Sequence, residues 1–330
     1  MKSNDFKDPF RSHNSSESFG EMYNTNDYGE YGYTFSSDNL LIPKPNNVKN
    51  YEYIHGGLLL RVGVYDDEYK TVKDLGKGTQ GKVTLSVNKD GIQVAVKHID
   101  MNLGKKSLED ISRELEALQR LSMKGNCHPN IVCYYDAFQD LDLKKIYIVM
   151  EYIEGETIGV AFNRLKMEKG KNFNEYLKNV LLTLVKALEF IHSKGIVHGD
   201  ISMNNIMIRK YSDVPIFIDF GLSCDIAIYM QCNGVSGTPS TMDPSLLIEK
   251  TKKTYNDIWS LAMTIMILLG QDPWKKIRSK EELFKVLLDP KFQPKSKTID
   301  GDLNFILNGM LMVNPEDRFT AKFISENYIN

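Results

Sequence analysis

Gly76, Gly78 and Gly81 stand in the pattern G-x-G-x-x-G, followed by Val83. Glycine lets a backbone approach phosphate oxygens without a Cβ in the way and turns N–H groups toward them. Three glycines in six residues are a weak signal alone, since many mark only a hairpin turn. Gly76 to Gly81-Lys82 falls one residue short of a P-loop, because Val83 stands where a Mg²⁺-binding hydroxyl is needed. The stretch Val83-Thr84-Leu85-Ser86-Val87 also reads as strand, so neither a P-loop nor a dinucleotide fingerprint fits. A glycine flap between two strands does. Sixteen residues after Gly81, the apolar run Val94-Ala95-Val96 ends in Lys97. An inward lysine there requires an anionic partner to offset its desolvation. Glu114 lies beside a helical stripe and can reach it, although a snorkelling Lys97 and a solvated Glu114 are equally compatible with the residues taken singly.

The surrounding periodicity shows what must hold these groups. Residues 70–100 alternate, with glycine punctuation and many valines, as in an antiparallel sheet. A helix follows: Ser107 and Asp110 read as a capping box, and Leu108, Ile111, Leu115, Leu118 and Leu121 recur at helical spacing. Strand signals return at Ile131–Tyr135 and Lys145–Tyr152. Beyond residue 157 helices dominate; Phe173 to Ser193 is amphipathic and closes on Gly195. The fold class is therefore α+β, a small antiparallel β lobe with one helix followed by a larger, mainly helical lobe. The cleft between them is the natural ligand site.

The chain has 330 residues, 41 basic and 43 acidic, for a formal net charge of -2. That balance excludes a chain-wide polycation for nucleic acid. The short pairs Lys105-Lys106, Lys252-Lys253 and Lys275-Lys276 read as solvated surface. Cys127, Cys133, Cys224 and Cys232 lack metal-ligand spacing and read as free thiols in a reducing compartment. Residues 1–39 contain no Ala, Val, Ile, Leu, Cys or Trp, so little offsets their ordering entropy; they are expected to be a disordered tail. Residues 40–68 read as a linker or extension. No signal peptide is visible, and the most apolar run, Ile258 to Leu269, is too short to span a bilayer and reads as a fully buried helix. An intracellular chain with no membrane segment is expected.

The stretch Val197-His198-Gly199-Asp200-Ile201-Ser202-Met203-Asn204-Asn205 is followed, 14 residues after Asn205, by Asp219-Phe220-Gly221. Taken with the glycine loop, Lys97, Glu114, His128-Pro129-Asn130-Ile131-Val132, Gly237-Thr238-Pro239, Asp257-Ile258-Trp259-Ser260-Leu261 and Arg318, it resembles the eukaryotic protein kinase family in order and spacing. The resemblance implies a bilobal kinase domain over residues 69–328, with the small lobe about 69–152 and the large lobe about 153–328. It implies ATP and Mg²⁺ as cofactors and a protein Ser/Thr hydroxyl as acceptor, and leaves the oligomeric state open. Lys97, held by Glu114, would contact phosphates; Asp200 would orient the acceptor hydroxyl; Asn205 and Asp219 would ligate the metal. Nucleotide contacts are implied at Leu75, Gly76, Lys77, Gly78, Thr79, Gln80, Gly81 and Val83. Adenine would lie between Val83 and Ala95 above and Met207 below, with Met150, Glu151 and Ile153 along its edge and Glu154 or Glu156 near the ribose.

Three positions depart from the family. Gly199 replaces the Arg before the catalytic Asp, which removes the usual receiver for an activation-segment phosphate. The expectation is activity without phosphate on Ser236, Thr238, Ser240 or Thr241. Ser202 replaces a Lys near the γ-phosphate. Asp243-Pro244-Ser245 stands for Ala-Pro-Glu, which leaves Arg318 in need of another acid; Asp243 is the candidate. These departures also admit a weak or inactive kinase-like scaffold. His-Gly-Asp resembles small-molecule phosphotransferases of the same superfamily as well.

Overall fold

The computed structural model describes residues 33–35, 41–43, 51–53, 59–78, 81–101, 105–122, 127–226, 232–297 and 300–329. Its first part is a seven-stranded sheet. Chain order runs β1 (Tyr33–Phe35), β2 (Leu41–Pro43), β3 (Tyr51–Tyr53), β4 (Leu59–Val62), α1 (Tyr65–Glu68), β5 (Tyr69–Gly78), β6 (Gly81–Asn88), β7 (Gln93–Asp100), α2 (Lys105–Leu121), β8 (Tyr134–Asp140) and β9 (Lys145–Glu151). The sheet order is β3-β4-β8-β9-β7-β6-β5. Every pair is antiparallel except β4 with β8. β-Branched Val94, Val96 and Ile99 fit β7 between two neighbours, and residues 94–99 are buried on both faces.

Three local expectations are revised. Tyr33–Phe35, read as disordered, pairs with Leu41–Pro43; the rest of the 1–39 tail lies outside the described residues. The strand expected at Ile131–Tyr135 begins at Tyr134. Ile131 instead bridges to Phe217, and Val132 N–H donates to Phe217 O at 2.9 Å, so this stretch is drawn off to the larger lobe. The helix α2 starts at Lys105, which puts Ser107 inside it rather than at its cap. Asp110 pairs with Arg113 one turn on. The apolar stripe from Leu108 to Leu121 is buried as its spacing requires.

The larger lobe continues with β10 (Gly155–Thr157), α3 (Ile158–Lys169), α4 (Phe173–Ser193), β11 (Ile196–Val197), β12 (Ile206–Arg209), β13 (Pro215–Phe217), β14 (Cys224–Asp225), α5 (Pro244–Glu249), α6 (Thr254–Leu268), α7 (Lys280–Leu287), α8 (Gly301–Met310) and α9 (Ala321–Tyr328). The helix α4 has the bounds read from its periodicity, and Gly195 beyond it takes φ +71°, a backbone shape that suits glycine. Within α6, Ile258, Trp259, Leu261, Ala262, Met263 and Ile265 are all buried, which makes it the central post of this lobe. Short β11 and β14 pair with each other, so the chain just before His198 is fixed against the chain just after Gly221. Among the described residues no helix is long and apolar enough to cross a membrane.

The cysteines correct a further expectation. Cys127 is bridged to Cys133 and Cys224 to Cys232, with Cα atoms 5.4 and 5.8 Å apart, inside the range a disulfide spans. The separations of 6 and 8 residues are short loops that a missing C-x-x-C pattern did not reveal. Cys224 and Cys232 are buried with Val197. Alkylation of the folded, unreduced protein is expected to label none of the four; intact-mass detection of a labelled cysteine would contradict the pairing.

Candidate active site

Lys97 on β7 and Glu114 on α2 meet in the interior. Lys97 Nζ donates to both Glu114 carboxylate oxygens, at 2.6 and 2.7 Å. Neither the snorkelling lysine nor the solvated glutamate survives: both residues are buried. Burial pushes the Glu114 carboxyl above its ordinary value, while Lys97 pulls it down. The Lys97 ammonium also lies 3.9 Å from Asp219 Oδ1, and Asp219 is half exposed. One cation thus faces a fully buried carboxylate on one side and an accessible one on the other. Asp219 takes φ +60°, unusual for a residue with a side chain. Gly221 N–H donates to its Oδ1 at 3.2 Å.

The loop from His198 to Asn205 is fastened at both ends. Asp257 of α6 is buried and accepts from His198 N–H and Gly199 N–H, each at 2.9 Å, and contacts His192 Nε2 at 2.9 Å. Burial would raise this carboxyl, but the His192 hydrogen bond, the charges of His192 and His198 and the Gly199 amide hold it below its ordinary value. Asn205 Nδ2 donates to Asp200 O and to Asp200 Oδ2, both at 2.9 Å. Asn205 O accepts from Ile218 N–H at 3.0 Å, so Asn205 and Asp219 arise from adjoining chain segments. The Asn205 segment, which carries the bonded Asp200, is thus joined to the residue just before Asp219, which sets oxygen-bearing side chains of the type Mg²⁺ prefers on adjoining segments. Among the described residues no group of three or more His, Cys, Asp or Glu side chains forms a metal cluster.

The strand register sets the cleft roof. Ala95 sits opposite both Leu85 and Met150, and Val83 lies between Gly76 and Lys97. Gly76 to Gly78 and Gly81 to Val83 pair as a hairpin that carries Lys77 and Leu75 at its exposed edge; Thr79 and Gln80 lie outside the described residues. Gly81 has no alternative residue, because a Cβ there would lie 1.9 Å from the His98 carbonyl oxygen. Met207, half-buried on β12, belongs to the three-stranded β10-β12-β13 sheet of the larger lobe. Glu151 ends β9 and pairs with Arg209; Ile153 just beyond is buried. Glu154 and Glu156 pair with Lys210 and Arg164, at 3.1 and 2.9 Å.

Several contacts had little or no sequence signal. Thr238 donates from both its N–H and its Oγ1 to Asp200 Oδ1, each at 2.7 Å. The Gly237-Thr238-Pro239 motif pointed to this loop but not to that bond. Arg318 is paired with Asp243, and both side chains are fully buried. Arg318 also donates to the carbonyls of Met312 and Tyr255, both at 2.9 Å, which completes the shell that Ser245 leaves open. Ser202 is buried, and its Oγ has no hydrogen-bond partner among the described residues, so it does not reach into the cleft as a long cation would. Lys252, read as solvated surface, is 6% exposed. Nothing in the sequence around it distinguished it from Lys253, which is exposed as expected.

The geometry agrees with comparisons to known proteins. A family model described as protein kinase domain matches residues 69–329. The chain is 30% identical over 264 residues to the serine/threonine-protein kinase STE20 of Kluyveromyces lactis, an alignment covering 78% of this chain and 25% of that protein. It is 31% identical over 268 residues to CBL-interacting serine/threonine-protein kinase 12 of Arabidopsis thaliana, covering 78% of this chain and 52% of that protein. A probable myosin light chain kinase of Dictyostelium discoideum is 28% identical, with 64% of its length covered. The chain thus spans between a quarter and two thirds of the length of these relatives. With a domain model covering most of its length and a cleft built from the same ordered residues, the chain belongs to the eukaryotic protein kinase family.

Proposed function

We propose that the chain is a protein kinase that transfers the γ-phosphate of ATP to a Ser or Thr hydroxyl of a protein, with Mg²⁺ as cofactor. The observation that carries the reading is Lys97, gripped by Glu114 at 2.6 Å and facing Asp219 at 3.9 Å in the cleft between the lobes. A lysine so held is a fixed positive point for phosphate oxygens, already oriented before a ligand arrives. Asn205 and Asp219 would hold Mg²⁺, which when bound neutralises charge on the phosphates during transfer.

The Asp200 carboxylate accepts three hydrogen bonds, one from Asn205 on Oδ2 and two from Thr238 on Oδ1, so it has a fixed direction. It would orient the acceptor hydroxyl and take its proton. Gly76 to Val83 would cover the phosphates, and Val83, Ala95 and Met207 would enclose the adenine with Met150, Glu151 and Ile153 at its edge. The Ser/Thr preference is supported by Thr238, whose bond to Asp200 puts the Gly237-Thr238-Pro239 loop beside the reacting position, and by the printed descriptions of the relatives.

Incubation with radiolabelled ATP and a Ser/Thr peptide library is expected to give labelled peptide with the wild-type chain and none with Asp219→Asn. Equal labelling by the two proteins would sink the proposal. Labelling of small hydroxyl compounds but no peptide would instead favour a small-molecule phosphotransferase.

A further inference from the structure

Lys252 precedes α6, outside every motif assigned above, yet its side chain runs inward to the catalytic loop. Its ammonium donates to the carbonyl oxygen of Leu222, which directly follows Gly221, at 2.5 Å. The same ammonium lies where a side chain at position 199 would begin. A Cβ built on Gly199 would be 2.9 Å from Lys252 Nζ and 2.5 Å from Leu222 O, and Gly199 takes φ +77°. Glycine at 199 and lysine at 252 are thus two halves of one arrangement: the catalytic loop gives up a side chain, and a cation from another segment fills the space.

The cation's surroundings are mixed. Asp257 of α6 and Asp200 of the catalytic loop attract it, as does Asp110 of α2, while Arg113 of α2 opposes it. The backbone at 252 is fixed too: Lys252 N–H donates to Cys232 O at 2.9 Å, and Cys232 is bridged to Cys224 of β14. Covalent and charged links therefore converge on the few residues after Asp219.

We propose that Lys252 is a positioning residue for phosphoryl transfer: its ammonium holds the Leu222 carbonyl in the space beside Gly199 and so sets Asp219 relative to Asp200 without any added phosphate. The proposal rests on the kinase reading and adds the device that holds the catalytic loop together in spite of Gly199. The hydroxyls of Thr238 and Thr241, which a phosphate would occupy, are already bonded to Asp200 Oδ1 and Ile201 O, at 2.7 and 2.8 Å. Such a link needs the charged ammonium, since a hydrogen bond from a charged donor is roughly twice as strong as a neutral one. Burial lowers the Lys252 pKa to about 8, with Asp257 and Asp200 opposing that fall and Arg113 adding to it.

Below pH 8 the ammonium is charged and the link is made; above it the link weakens, so kcat falls. Folding stability moves the other way, because the unfolded lysine keeps its proton up to about 10.5 and the folded one does not. Stability therefore rises between pH 8 and 10.5 while turnover declines, a divergence that a merely structural lysine would not produce.

The test compares wild type with Lys252→Met, which keeps the lysine's unbranched stem but lacks its ammonium, and with Lys252→Arg, which stays charged throughout. Lys252→Met is expected to lower kcat about tenfold or more with the KM for ATP little changed, and to lack the wild-type decline above pH 8. Lys252→Arg is expected to retain more turnover than Lys252→Met, with a flat profile to pH 9.5. Amide exchange at Leu222 to Asp225 is expected to quicken about tenfold in Lys252→Met. A kcat within twofold of wild type together with unchanged exchange would overturn the proposal. If wild type itself transfers no phosphate, the kinase reading fails, and the exchange rates alone decide whether Lys252 holds this segment.

Discussion

Asp243→Ala is expected to destabilise the protein by about 3–5 kcal/mol, because it leaves the Arg318 guanidinium buried with no carboxylate partner. Both side chains are fully shielded from water, so solvent cannot take the place of the lost charge. The carbonyls of Met312, Tyr255 and Val313 still accept from Arg318, but they supply partial charge only. Asp243 has further partners: its Oδ2 accepts from Asn256 Nδ2 at 2.8 Å and its Oδ1 from Ser245 N–H at 3.0 Å. Removal therefore breaks four hydrogen bonds at once, two of them from Arg318. Urea unfolding is the direct measure. The double variant Asp243→Ala with Arg318→Leu is expected to be more stable than Asp243→Ala alone, since it removes the stranded charge. Equal stability of Asp243→Ala and wild type would mean that the pair does not form.

Lys97→Met is expected to lower kcat/KM for ATP by about a hundredfold to a thousandfold, the scale of losing one preorganised charge at a reacting phosphate. The fold should survive. Burial already pushes the Glu114 carboxyl upward with Lys97 opposing it, so without Lys97 the acid takes up a proton rather than remaining a naked buried anion. Glu114→Gln is expected to be milder, because Lys97 keeps its charge but loses a fixed direction. Steady-state kinetics beside thermal unfolding separate the two quantities. Undiminished turnover in Lys97→Met with an intact fold would remove this lysine from the chemistry.

Much of this architecture was legible because periodicity and burial agree. The α4 stripe gave its bounds, and the alternating valines gave the sheet, since each apolar side chain has one face on which to hide. The order of His198, Asp200, Asn205 and Asp219 pointed to one site, and the hydrogen bonds of Asn205 and Ile218 show how neighbouring loops bring them together. Even the loss of a family glutamate at Ser245 could be turned into a specific expectation for Asp243, because a buried arginine must find an acid.

What was illegible shares one cause: contacts between segments distant along the chain leave no local pattern. Lys252 and Lys253 are adjacent and alike in sequence, yet one is buried and the other exposed; the buried one lies against Gly199, more than fifty residues away. The disulfides escaped for a related reason, since a bridge depends on where loops bend. Ile131 belongs to a strand by composition but is claimed by Phe217 across the lobes. Ser107 reads as a cap because Asp110 stands three residues on, yet the helix begins two residues earlier, at Lys105.

The kinase activity requires Lys97, Asn205 and Asp219 to form one seat for a metal-bound triphosphate. Calorimetric titration with a non-hydrolysable ATP analogue, with and without Mg²⁺, tests this most directly. Binding is expected to strengthen at least tenfold when Mg²⁺ is present, and Asp219→Asn is expected to lose that Mg²⁺ dependence. Equal affinity with and without the ion in the wild-type protein, or no binding at all, would contradict it.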